Sequence, residues 1–136
     1  MSGRLWLLKS EPDVYSYDDL VREGETDWTG VRNNAAALNL KTMREGDRAL
    51  FYHSNIGKEV VALARISAPA FPDPTDPTGR WVAVKVKPEA SLARPVTLAE
   101  MKANPALAGF ELIRQSRLSV VPVRDEEWAE ILRMAG

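Results

Sequence analysis

The sequence contains no cysteine and a single histidine, His53, in 136 residues. The first absence excludes disulfides, thiolate nucleophiles and cysteine-held zinc or iron–sulfur clusters. The second excludes histidine-rich metal centres and any mechanism that needs two imidazoles. Long hydrophobic runs are missing too: the apolar stretches are a few residues long, against the ~20 needed to cross a bilayer. The chain passes from Met1 straight into a strand-like pattern at Arg4-Leu5-Trp6, without the apolar centre of a signal peptide. A reduced, cytoplasmic, monomeric domain with no metal, no cofactor and no membrane contact is expected. A strong excess of positive charge is also lacking. The net charge is −1, where a protein that grips duplex backbone nonspecifically shows a marked basic surplus. The charge is uneven: residues 1–30 carry three basic against seven acidic side chains, while 31–84 carry seven against five and 85–136 eight against seven. A nucleic-acid partner, if there is one, must then be held by a local pocket and not along a broad phosphate stripe.

What is present fits one globular domain. The apolar fraction of 45% and charged fraction of 27% are near the averages for such proteins, and the length allows a single core without staples. Arg4–Lys9 reads as a short strand apolar on both faces. Ser16 followed by Asp18 and Asp19 starts a helix that Gly24 ends. Asn33 or Asn34 caps a second helix running to about Met43. Asp47–Ser54 alternates as a strand, Asn55-Ile56-Gly57 turns, and Glu59–Ser67 is a buried strand. Residues 69–80 hold four of the nine prolines and read as an irregular loop. Arg80–Lys87 alternates again. Thr97-Leu98-Ala99-Glu100 is a capping box, and Pro105 starts a helical turn. Leu118–Val123 is a strand whose Pro122 puts it at a sheet edge, and Asp125 caps a last amphipathic helix. Strands and short helices in mixed order argue for an α+β domain around a curved mixed sheet or barrel. Phe51, Trp81 and Trp128 are assigned to the core.

Four polar clusters interrupt this pattern, each at the end of an apolar run. They are Lys9-Ser10-Glu11; Trp28 with Val31, Arg32 and Asn33 at a helix N-terminus; Tyr52-His53-Ser54; and Arg117-Leu118-Ser119. Each has a plain reading taken alone: a surface ion pair of Lys9 and Glu11, a core tryptophan, a hydrogen-bonded structural histidine, and arginines at 32 and 117 that simply sit in solvent. Together they describe a concave site with convergent donors and acceptors. Amide, hydroxyl, imidazole and guanidinium groups suit the edge of a nucleobase, and an indole suits its face.

Five ordered segments carry a more specific signal: Leu5-Trp6-Leu7-Leu8-Lys9-Ser10-Glu11-Pro12, Trp28-Thr29-Gly30-Val31-Arg32-Asn33, Phe51-Tyr52-His53-Ser54-Asn55, Phe71-Pro72-Asp73-Pro74 and Arg117-Leu118-Ser119-Val120. In these the chain resembles the EVE domain family, whose fold is similar to PUA and YTH domains, over about residues 4 to 133. The resemblance implies a single EVE (PUA-like) domain over residues 1–136, built as a mixed β-barrel of about five or six strands surrounded by short helices. It also implies a pocket that reads a modified base of DNA or RNA. Phe71 stands where relatives often carry tyrosine, so no phenol hydroxyl is available there.

The leading expectation is a reader, not an enzyme. Trp28 would stack on the base; Ser10, Asn33, Ser54 and the backbone at Val31 would meet its edge; Lys9, Arg32 and Arg117 would hold flanking phosphates. Glu11, Tyr52, His53, Leu118 and Ser119 complete the expected site. Two alternatives stand beside it: a PUA-like amidohydrolase acting on modified nucleosides through Lys9, Ser10 and Glu11, and a protein-interaction domain with an unused pocket. Against the enzyme, neighbours on a strand face opposite ways, and no nucleophile–base–orienter set is readable from spacing.

Overall fold

The computed structural model describes residues 4–136. Six strands form one mixed sheet: β1 (Leu5–Ser10), β2 (Thr26–Asp27), β3 (Arg48–His53), β4 (Glu59–Pro72), β5 (Val82–Thr97) and β6 (Val120–Val123). Their order is β2-β5-β4-β3-β1-β6. Only β1 and β3 run parallel, and every other neighbouring pair is antiparallel. Five helices pack around the sheet: α1 (Tyr17–Glu23), α2 (Asn34–Thr42), α3 (Leu98–Lys102), α4 (Glu111–Arg114) and α5 (Asp125–Met134), with a 3-10 turn at Pro105–Leu107. None of them is long and apolar enough to cross a membrane.

β4 and β5 are much longer than the patterns at 59–67 and 80–87 imply, because both continue through prolines. The pairing register between them shifts at four places. Pro69 falls in the shift between Ala68 and Phe71, Pro88 beside the one at Leu63/Ala64, and Pro95 in the one between Val60 and Ala62. A bulge leaves a residue out of the ladder, which is where a missing N–H is tolerated. Bulges also bend the strands that carry them, and the sheet curls. It does not close: β2 forms one edge and β6 the other, with no ladder between them. The expected barrel is thus a curled open sheet with a seam.

The helix starts follow local chemistry. The Ser16 hydroxyl accepts from the Asp19 N–H while the Asp19 carboxylate accepts from Ser16 N–H, and Thr97 and Glu100 repeat this arrangement for α3. In α5 the expected cap, Asp125, is instead the first helical residue. There the buried Glu127 carboxylate turns back to accept from the Arg124 backbone N–H at 2.9 Å. The core is continuous. Leu7, Leu8, Leu50 and Phe51 are fully buried in β1 and β3, Ala36 and Leu40 of α2 cover one part of the sheet, and Ile131 of α5 another. Buried Asp47 accepts from the Trp6 indole N–H and the Arg4 and Arg44 N–H groups, each at 3.0 Å. It ties the start of β1 to the turn before β3 without an unpaired polar atom.

Candidate functional site

A cavity of about 660 Å³ opens at the seam of the sheet. Strand directions explain which residues meet there. Because β1 and β3 are parallel, their C-terminal ends arrive side by side, with Lys9 opposite Tyr52 and Ser10 opposite His53. Because β6 is antiparallel to β1, its entering segment comes back to the same end, where the Lys9 N–H donates to the Ser119 carbonyl at 3.1 Å. The Ser54 N–H donates to the Ser10 carbonyl at 2.9 Å and brings the third cluster in. The other wall comes from the far edge, where β2 runs on into a loop and the Trp28 N–H extends the ladder to the Val84 carbonyl at 2.7 Å. Residues from both edges therefore line one cavity, in the gap that a closed barrel would fill.

Of the residues expected from sequence, Lys9, Ser10, Glu11, Trp28, Val31, Arg32, Ser54, Arg117 and Ser119 line this cavity. Four do not. Asn33 is the N-cap of α2, and its side-chain oxygen accepts from the Ala36 N–H at 3.0 Å. His53 lies on the Phe51 side of β3, and its Nε2 accepts from the Tyr17 N–H at 3.1 Å. Burial lowers its pKa, with Glu59 and Asp18 opposing, so a neutral imidazole caps the start of α1. Tyr52 and Leu118 are buried in the core. Asn33, His53 and Leu118 each sit next to a lining residue, and the pleat or a cap turns the side chain away.

Tyr15, Val14, Thr26, Asp27, Thr29, Gly30 and Ser116 also line the cavity, and sequence reasoning missed them as site residues. Thr29 and Gly30 stood inside the quoted motif, so position there was the available signal. Tyr15 had none: it reaches the cavity through the turn after β1, in which the Val14 and Tyr15 N–H groups donate to the Glu11 carbonyl and the Ser10 hydroxyl donates to the Tyr15 carbonyl. The Tyr15 hydroxyl donates to Glu23 at 2.7 Å. Burial, with a smaller part from Glu23, pushes its pKa up to about 12. Lys9 donates to the Ser116 carbonyl at 2.8 Å, and burial lowers the pKa of its ammonium.

The structure adds a core role to Trp28 and corrects the assignment of Trp81. Trp28 is only 8% exposed. Its ring meets Phe51 at 5.6 Å and Tyr15 at 6.3 Å, both edge to face, so it belongs to the core while walling the cavity. Trp81, expected in the core, is only partly buried and carries guanidinium groups over its ring, Arg80 at 4.5 Å and Arg32 at 5.9 Å.

The loop that follows Trp28 is held by Asp73, whose side chain is fully buried. Its carboxylate accepts from the Gly30 N–H and the Arg32 guanidinium, each at 2.9 Å, and from the Thr75 N–H and hydroxyl, each at 2.7 Å. Burial alone would raise the Asp73 pKa, but these bonds from Thr75, Arg32 and Gly30 outweigh it and hold the carboxyl well below the usual range. Gly30 adopts φ +82, a left-handed conformation costly for other residues, which aims its N–H at Asp73. Arg32, expected to be free for a phosphate, is thus pinned.

The curled, unclosed α+β sheet is a PUA-like fold. A solved YTH domain from Zygosaccharomyces rouxii shares that fold at TM-score 0.62 and 17% identity, covering 97% of this chain and 86% of its own. Within the class the assignment is specific: the EVE domain model matches residues 4–134, and the chain belongs to the EVE domain family. An NMR structure of a Rhodopseudomonas palustris protein is 51% identical with TM-score 0.93, over 98% of this chain and 93% of that one. Human thymocyte nuclear protein 1 is 32% identical over 95% of this chain and 72% of its own length. The human protein has been solved in complex with 5-methylcytosine-containing DNA; that structure superposes at TM-score 0.90 and 30% identity, covering 97% of each chain.

Proposed function

We propose that this domain binds nucleic acid by taking one modified base into the seam cavity. The observation that carries the reading is the cavity itself: about 660 Å³, walled by the Trp28 indole and lined by Lys9, Ser10, Ser54 and Ser119, within the ~300–1,000 Å³ usual for a small-molecule site. The human relative bound to 5-methylcytosine-containing DNA supports it. A base enters such a site only when extruded or unpaired, which costs a few kcal/mol from a duplex and favours modified or single-stranded positions.

In this reading Trp28 contacts the base from the cavity wall. The Lys9 ammonium, already oriented by the Ser116 carbonyl, donates to an acceptor on the base edge. Ser54 and Ser119 supply further polar contacts. Arg117 meets a flanking phosphate, and Asp73 keeps the opposite wall in place through Gly30 and Arg32. Binding without turnover fits the hydroxyl chemistry: Ser10 donates its proton to a carbonyl, and the one imidazole is engaged with Tyr17, so neither forms a nucleophile–base pair. Fluorescence anisotropy with single-stranded DNA carrying one 5-methylcytosine, against the same strand with cytosine, tests this. Tighter, saturable binding of the methylated strand that is weakened by Lys9→Ala is expected. Equal affinity for the two strands would overturn methylcytosine as the base read, and no binding of either would overturn the nucleic-acid reading.

A further inference from the structure

Arginines in this protein are mostly tied to carboxylates: Arg22, Arg32, Arg48, Arg65, Arg94, Arg114, Arg124 and Arg133 each form an ion pair. Arg4, Arg44, Arg80 and Arg117 have no ion-pair partner among the described residues, and all four are exposed. Arg117 lines the cavity on its β6 side. Arg80 lies beyond the other wall, in the segment between β4 and β5 that also carries Asp73.

The surroundings of Arg80 form a built ledge. Its guanidinium stacks over the Trp81 ring at 4.5 Å and donates to the Asn34 side-chain oxygen at 3.0 Å. The cavity-lining Arg32 lies over the same ring at 5.9 Å, so the ledge begins at the cavity wall. The backbone beneath is fixed, since the Asp73 N–H donates to the Trp81 carbonyl at 2.9 Å and the Trp81 N–H to the Asp76 carboxylate at 2.7 Å. The Asp76 carboxylate accepts from the Trp81 and Thr78 N–H groups and from the Thr78 hydroxyl. A planar guanidinium held by stacking, with donors left over, is preorganised for a phosphate.

We infer that Arg80, stacked on Trp81, holds a backbone phosphate of the nucleotide next to the one in the cavity, so that the bound strand crosses the seam from Arg117 to Arg80. This rests on the cavity taking a base. It adds a second contact surface and gives the strand a direction across the molecule.

The test compares wild type, Arg80→Glu and Arg80→Lys with two probes: a short single-stranded DNA carrying one central 5-methylcytosine, and the nucleoside 5-methyl-2′-deoxycytidine. The strand should bind Arg80→Glu roughly three- to tenfold more weakly, with a salt slope shallower by about 1, as for loss of one phosphate contact. Arg80→Lys should recover part of the loss, and nucleoside binding should be the same in all three. Unchanged strand affinity in Arg80→Glu, with intact wild-type binding, would overturn the ledge and leave the cavity reading standing. An equal loss for strand and nucleoside would also overturn it, because Arg80 would then act through the cavity wall. Failure of the wild-type protein to bind either probe would overturn the cavity reading for this base, and the ledge with it.

Discussion

Trp28 shows how one side chain serves packing and recognition together. Its ring is buried edge-on against Phe51 and Tyr15 and also walls the cavity. Trp28→Ala should therefore cost ~3–5 kcal/mol of stability, the usual loss for a buried aromatic. It should also weaken base binding in the molecules that remain folded, by ~1–3 kcal/mol if the ring contacts the base face. Trp28→Phe should keep most of the stability. Denaturant unfolding combined with ligand titration separates the two effects, and a Trp28→Ala protein as stable as wild type would refute the packing role.

Loops, not strands, carry most of the site, and their order depends on one carboxylate. Asp73, in the segment after β4, fixes Gly30 and Arg32 in the loop after β2. The Asp73 pKa is depressed in the folded state. Its contribution is therefore fully present above the unfolded carboxyl pKa of about 3.9 and is lost as pH falls through the folded value. Asp73→Asn should lower the melting temperature at neutral pH and flatten the decline in stability between about pH 4 and 2. Melting curves across that range measure both. A variant with the wild-type acid slope would show that Asp73 does not carry the dependence. The same substitution should weaken ligand binding, since the wall holding Val31 and Arg32 loses its anchor.

For the whole molecule, charge limits the mode of binding. The net charge is −1, Glu11 and Asp27 line the cavity beside Lys9 and Arg117, and most arginines are neutralised in ion pairs. Few phosphates can be met, so the log–log salt slope of strand binding should be shallow, about −2 to −4. Affinity measured over a series of salt concentrations gives it. A slope near about −8 would reveal a wide electrostatic footprint inconsistent with a single seam.

The sequence by itself determined what depends on neighbours along the chain. Ser16 with Asp19 and Thr97 with Glu100 cap their helices because the bonding groups lie three residues apart, and Pro122 marks an edge strand because it lacks a donor. The residue types at the ends of β1, β3 and β6 were also legible, since polar groups there break apolar runs. Tertiary structure decided the rest. Whether β4 and β5 pass through Pro69, Pro88 and Pro95 depends on the pairing register shifting at or beside each one. Whether His53 and Asn33 face the cavity depends on which backbone N–H, Tyr17 or Ala36, claims them first. The Asp73–Gly30 bond joins residues 43 apart, and no local pattern encodes such a contact. The seam exists only because bulges curl the sheet without bringing β2 and β6 close enough to pair.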